Sequence, residues 1–498
     1  MESTTPLLTS RELASFDTER SVNSELDREI SRHLEAFPRS IFPLALSRVV
    51  ERLCYALLFM SVAHLQGSPA FPSSEFTTGL DTCLAGTLFL VAAFAGATVA
   101  DSFLGKFTTI LLFSISYMLG IILLITFSAQ PMPSNTLFTP VLLLIIGTGG
   151  IAPCTPAFNG DQFIPFQSHL MDKSFSMLYG AGVLGMILAQ LSWNSPTSHI
   201  GTGLVCLILS LAILGLGQYR AVVPQRRLLA WKIISLVSLA TFRRIREARQ
   251  EHKIQHWLTF GLRPFSQEFI GETRLLLKVF GCTLPTCLYW MLYAHVTSEC
   301  FKTNSYSLCL YITLGLVPIL AFCVYPLLEQ NRMHTPIMSR IIWGYFILVA
   351  TSLITAATPF MPNNLQAAST VIQVSLLSLS QAIVVPSLDL LAYSQTGRQL
   401  KTHSATILIF TATLGKMLAI SLNRHVPAPL SSHLAWIYPI LATVGLSIQL
   451  YITKHIYISL EDELIQEEIQ KLVMRSHPDW SLDSDPITSP TRIIPTMY

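Results

Sequence analysis

Charge is what this chain of 498 residues has least of: Asp, Glu, Lys and Arg make up only 12% of it, and hydrophobic residues 51%. A soluble globular protein carries about 25% charged residues. With half that supply the chain cannot wet an ordinary surface, which excludes a disordered protein, a coiled coil and a common soluble enzyme. The formal net charge of +3 gives no reason to expect nucleic acid as a partner. Cysteine is scarce too: nine residues, with no CxxC pair, make neither a disulfide scaffold nor a zinc site. Most of the thiols sit in apolar runs, where they act as small hydrophobes. Cys300 and Cys309 share a short polar loop, where one bridge and two free thiols are both open. No N-x-S/T sequon, Walker-type phosphate loop, selectivity-filter sequence or cluster of His and acidic ligands occurs. N-glycosylation, direct ATP use, a channel, a membrane enzyme, and any metal or organic cofactor are therefore not expected.

What is present is a series of apolar segments of bilayer-spanning length, about 20 residues each. They lie near 41–64, 80–100, 107–128, 138–158, 172–192 and 199–217, then near 274–296, 307–327, 337–357, 367–391, 404–422 and 434–453. This divides the chain into a polar tail (1–40), a first six-helix bundle (41–217), a basic linker (218–273), a second six-helix bundle (274–455) and a second polar tail (456–498). Loops on the side of both tails carry Lys106, Lys173, Arg332, Arg340, Arg398, Lys401 and ten more basic residues of the linker, against Lys302 and Arg424 opposite. That asymmetry puts both termini in the cytoplasm. Trp193, Trp343 and Trp436 fall at segment ends, where amphipathic rings prefer to sit. Within the linker, 228–242 is apolar but too short to span, and a basic run from Arg243 to Lys253 follows. The pattern suits a helix lying on the inner membrane surface against anionic lipid; a loose linker is the plain alternative.

Charges inside spans are costly and mark candidate sites. Arg48, Glu51, Arg52 and Tyr55 share one face of the first span. Glu51 lies about 15 Å from its start, near the midplane. A structural ion pair gluing helices is the competing reading. Lys416 lies about 18 Å into the eleventh span, where a carboxylate partner is expected, and Asp389 sits in the tenth. His295 reads as a solvent-exposed loop residue, with a proton acceptor as the alternative. Twelve helices in two sixes with polar residues at mid-depth describe a secondary transporter of a small polar solute.

The stretch Gly147-Thr-Gly-Gly-Ile-Ala-Pro-Cys-Thr-Pro-Ala-Phe-Asn-Gly-Asp-Gln-Phe163 resembles GTGGIKPCxxAFGGDQF, the signature of the proton-dependent oligopeptide transporters. Ala100-Asp-Ser-Phe-Leu-Gly-Lys-Phe-Thr-Thr-Ile110 resembles their ADSWLGKFKTI, and Glu51-Arg52 with Tyr55 resembles ERFxYYG. His256-Trp257-Leu258, Pro285, Trp290, Val324-Tyr-Pro-Leu327, Tyr393-Ser-Gln395 and Lys401 follow in the family's order. The resemblance runs over roughly 40–460 and is strongest to the animal di- and tripeptide carriers, without the large domain those insert between helices nine and ten. It implies an all-α polytopic membrane protein of major facilitator type, with 12 transmembrane helices in two six-helix bundles.

Departures gather in the cavity. The family's E-x-x-E-R reads Arg48-Val-Val-Glu51-Arg52, and the signature lysine is Ala152. Family polar residues of the fifth, seventh and tenth helices align with Val183, Ala294 and Leu390; the second-helix His aligns with Cys83, the eleventh-helix Trp with Leu408, and a nearby Asn with Lys416. Lys416 could replace the lysine lost at 152, and Asp389 the acid lost at 390, although a shift of one residue turns a side chain by about 100°. By resemblance, Glu51 is the proton-coupling acid with Arg52 as its partner. Arg48, Arg52, Tyr55, Tyr179, Trp290, Tyr293, Asp389 and Lys416 are the substrate-binding candidates. The implied function is proton-coupled symport of di- and tripeptides by alternating access, by a monomer, with protons as coupling ion. Two alternatives stay open: a carrier of another anionic solute without proton coupling, and a non-transporting regulatory membrane protein. Pro6-Leu7-Leu8 has a misplaced acid for a dileucine sorting signal, so the plasma membrane is expected over the lysosome.

Overall fold

The computed structural model describes residues 37–67, 80–128, 138–164, 167–191, 196–220, 229–247, 258, 265–302, 305–331, 335–397, 399–425 and 431–457. Both tails, Trp193, His256 and Trp257 lie outside them, as do the side chains of Cys83 and of the basic run after Phe242. The described chain is helical, and each of the twelve apolar segments is a helix or a broken helix. The first is Ile41–Gly67, followed by Leu80–Val99, Lys106–Ser128, Phe138–Ile151 with Cys154–Asp161, Ser168–Leu191 and Pro196–Gly215. The second half runs Gln267–Thr283 with Thr286–Lys302, Tyr306–Pro318 with Tyr325–Gln330, Ile337–Ala357, Asn363–Ser394, Lys401–His425 and Ser431–Ile452. We number these spans 1 to 12. In an apolar solvent a backbone must satisfy its own polar groups, so long apolar runs become helices whatever their residue propensities.

The breaks have local causes. Span 4 interrupts at Pro153, whose ring cannot continue the ladder, and span 7 bends by 41° around Leu284–Pro285. Span 8 widens into a π turn over Ile319–Val324 directly after Pro318. Span 2 ends in a similar turn, Ala100–Leu104, closed by Gly105 at φ 79°, a left-handed conformation open to glycine without strain.

Each bundle has its own core. In the first, Tyr117, Ile121, Leu124, Cys154 and Leu207 pack around spans 1, 3, 4 and 6. In the second, Tyr289, Leu292, Tyr345, Leu377 and Tyr438 do the same for spans 7, 9, 10 and 12. The glycines of the 147–150 signature are a packing device. A Cβ on Gly147 would stand 2.7 Å from the Tyr117 backbone, and one on Gly150 would stand 2.2 Å from the Phe113 ring. Small residues let helices approach in a medium that offers no hydrophobic drive between them.

Between the bundles lies the helix Leu229–Glu247, longer than the expected segment. Leu236 and Ala240 pack on Phe269, Ile270, Leu276 and Leu400, at the starts of spans 7 and 11. Trp231, Ile234 and Phe242 remain exposed on the opposite face.

At the same, basic-loop end, three polar ties join the bundles. Asp101 of span 2 accepts from Thr402 Oγ1 at 2.5 Å and pairs with His403 Nδ1 at 2.8 Å. Asp161 of span 4 accepts from Tyr393 Oη at 3.1 Å and is ion-paired with Lys106. Arg340 of span 9 donates to Asp172 of span 5 at 2.5 Å. The acidic part of the signature, Asp161, therefore holds the two bundles together.

Two loop readings are corrected. Cys300 and Cys309 are both buried within spans 7 and 8, not in a loop, and neither is in a disulfide among the described residues. His295 is buried inside span 7, its ring stacked 3.9 Å from that of Tyr438. The short connection between these two spans leaves a polar-looking stretch no room outside the helices.

Candidate functional site

Helical spacing delivers the first-span cluster as expected. Arg48 Nη1 and Arg52 Nε both bind Glu51 Oε2, each at 2.9 Å. Oε1 of the same carboxylate is buried and has no hydrogen-bond partner among the described residues. The Arg52 guanidinium also stands 5.1 Å over the ring of Tyr55, which is half-exposed. Gly182 and Gly185 of span 5 face Arg52 at 3.6 Å and 2.9 Å from their ideal Cβ positions, so small residues give the arginine room. A small cavity opens beside this carboxylate inside the first bundle, lined by Ser47, Ser114, Thr155 and Ser210 and on its larger, apolar part by residues such as Leu44, Ile151 and Leu207.

Across the interface between the bundles, Asp389 of span 10 and Arg48 lie within each other's electrostatic reach. No ion pair joins Asp389 to any described residue. Its neighbour Leu390 points elsewhere, packing with Phe175 and Tyr393. Of these two neighbours, Asp389 is the one within electrostatic reach of a first-span arginine, and Leu390 is core. Val183 and Leu408 are likewise buried in apolar clusters.

Span 5 contributes Tyr179, whose hydroxyl donates to Gln381 Oε1 of span 10 at 3.3 Å. Its ring packs beside Val317 and Tyr325, and its hydroxyl lies within electrostatic reach of Asp389. Gln381 escaped the sequence reading; the available signal was a lone amide near mid-depth of an apolar span.

Lys416 and the aromatic wall form a second group. Trp290 meets Tyr289 and Tyr293 edge-on, with centroids 5.4 Å and 5.5 Å away. Lys416 Nζ stands 5.5 Å over the Trp290 ring. The carboxylate expected for Lys416 is not there: no ion pair includes it among the described residues. Nor does it replace the missing lysine beside Glu51, because both arginines already occupy that carboxylate and Lys416 belongs to the other bundle.

The candidate residues thus gather into two poles. One is the Arg48–Glu51–Arg52 triad with Asp389 opposite, and the other is Lys416 with Trp290 and Tyr293. Such an arrangement offers cationic groups and one carboxylate to a small charged solute.

A model of the POT family matches residues 107–302. Solute carrier family 15 member 1 of the dog, Canis lupus familiaris, is 24% identical over 365 residues, covering 62% of this chain and 50% of that protein. Peptide transporter 3 of Caenorhabditis elegans is 25% identical over 358 residues, covering 64% of this chain and 50% of that protein. The chain spans about half the length of these curated relatives. Among solved structures, the POT family transporter PepTSo superposes with a TM-score of 0.62 at 17% identity, over 86% of this chain and 99% of that one. The human organic anion transporter MFSD10 superposes with a TM-score of 0.57 at 16% identity, over 83% and 100%. At these identities the superpositions establish the fold: this multi-pass membrane protein is built like these solved transporters, and over residues 107–302 it is similar to the POT family.

Proposed function

We propose that the protein is a secondary active transporter of short peptides that works by alternating access and couples uptake to protons. The observation that carries this reading is the buried Glu51, held by Arg48 and Arg52 on one oxygen and unpartnered on the other. Glu51 would be the coupling acid, and loss of its charge would free the two guanidiniums for the carboxylate of a peptide. Asp389, in reach of Arg48, would then receive the amino group. Tyr55, Tyr179, Trp290 and Tyr293 would form the walls. The relatives' names, peptide transporters among them, support the substrate class.

The basic-loop end is taken as cytoplasmic on the charge asymmetry, with both termini on that side and the plasma membrane as the site of action. The helix Leu229–Glu247 would lie on the inner leaflet through Trp231, Ile234 and Phe242, beside the second bundle. A monomer contains all the groups invoked.

The test is uptake of a labelled dipeptide into proteoliposomes with and without an inward proton gradient, for the wild type and Glu51→Gln. Gradient-driven uptake that disappears in the variant is the expected result. Uptake that ignores both the gradient and the substitution would indicate a facilitator for the solute instead. Absence of uptake by folded, reconstituted protein would overturn the transport of peptides.

A further inference from the structure

The second bundle holds a group that peptide transport by the first-span triad and Asp389 leaves unused. On span 11, Gly415 packs against span 7, its ideal Cβ 2.2 Å from the carbonyl oxygen of Cys287. Thr413 and Met417 instead meet Gly86 of span 2, each 3.3 Å from that residue's ideal Cβ. Phe410 and Leu418 are exposed on the outer side. Successive helical residues are about 100° apart, so Lys416 points between the faces that touch spans 7 and 2. That direction is the space between the two bundles, and the residue is exposed there.

Its ammonium has three donors and no acceptor. Among the described residues no carboxylate pairs with it, and its near neighbour is the Trp290 ring. Trp290 is also short of a partner: Nε1 is buried and donates to nothing among the described residues. An indole N–H is a donor only, so the cation–π contact between the two side chains satisfies neither set of N–H groups. Two donors therefore share one contact, one of them charged, and neither has an acceptor among the described residues. What completes such a pair is an oxyanion.

The charge balance agrees. The triad of Arg48, Glu51 and Arg52 carries one net positive charge, which Asp389 cancels across the interface. Lys416 is left over. A zwitterionic peptide would leave that surplus in place, whereas a solute with one net negative charge would neutralise it.

We propose that Lys416 Nζ and Trp290 Nε1–H form a second oxyanion site, in the C-terminal bundle, that takes a side-chain carboxylate of the solute. The preferred substrates are then short peptides bearing an acidic side chain. This rests on the peptide-transport reading above, and deepens it by naming the substrate class.

The experiment is calorimetric binding to the purified full-length chain in detergent, with Ala-Ala, Ala-Glu and Ala-Lys as probes and glutarate as an anion without a peptide bond. In the wild type, Ala-Glu should bind at least about tenfold more tightly than Ala-Ala, the equivalent of about 1.4 kcal/mol, and Ala-Lys more weakly than both. Lys416→Met should reduce the Ala-Glu to Ala-Ala ratio to about one, and Lys416→Arg should restore it, which separates loss of charge from loss of folding. Trp290→Phe keeps the ring, removes the N–H, and should lower the ratio by a few fold. Equal binding of Ala-Ala and Ala-Glu by the wild type, or an unchanged ratio in Lys416→Met, would overturn the oxyanion site and leave peptide transport standing. If no dipeptide binds but glutarate does, and Lys416→Met abolishes its binding, the site stands and the peptide reading falls. Silence from all four probes would overturn both.

Discussion

Asp101 and Asp161, at the basic-loop end, use both of their carboxylate oxygens. One meets Thr402 and His403, the other meets Tyr393 and Lys106. At mid-depth Glu51 uses one oxygen for two arginines and leaves the other bare, while Asp389 and Lys416 have no ion-pair partner among the described residues. Both regions sit between the same two bundles, and both are rich in charge. The difference lies in completeness. A buried polar group left unpaired is costly, so a carboxylate with both oxygens engaged has finished its structural task while one left bare awaits a ligand, a proton or water.

The strongest test of that contrast removes one partner from the paired region. Asp161→Ala strands Lys106, whose side chain is only 7% exposed, and should cost about 3–5 kcal/mol in thermal denaturation of the detergent-solubilised chain. A loss within the range of a surface substitution, about 0.5 kcal/mol, would erase the distinction. Next come the close helix contacts that hold the frame around both regions. Gly150→Ala forces a methyl onto the Phe113 ring and should destabilise by about 1–3 kcal/mol. Gly201→Ala, with nothing within 4 Å of its ideal Cβ, should be harmless in the same melting experiment.

At mid-depth the expected signature is reversed. Arg52→Lys keeps a positive charge but loses the planar fork that grips Glu51 and stacks on Tyr55. Dipeptide uptake should fall by about tenfold, equivalent to about 1.4 kcal/mol, with a melting temperature close to wild type. A variant that unfolds instead would class the triad with the structural ties. A smaller loss is expected from Thr402→Val, which removes one donor from Asp101 while His403 remains and should cost about 1 kcal/mol in the melting experiment.

Much of this was legible in the chain itself. The apolar segments specified helices, nine of them long and apolar enough to cross a membrane among the described residues, because a lipid environment leaves the backbone no other way to satisfy its hydrogen bonds. The Arg48–Glu51–Arg52 triad was equally readable, since neighbours at short helical offsets must share a face. Local periodicity fixes both. Contacts between distant spans were beyond its reach. Lys416 was expected to find a carboxylate and stands over Trp290; His295 was expected in water and stacks on Tyr438. That Asp389 rather than residue 390 faces Arg48, and that Gln381 receives Tyr179, depended on how spans 1, 5 and 10 are set against each other.

The sequence by itself therefore determined a helical membrane protein, its spans and the charged face of its first helix, since composition and helical period act within a single segment. Only the tertiary structure decided which charges are paired and which are left open, because pairing depends on the rotation and depth at which helices far apart in the chain meet.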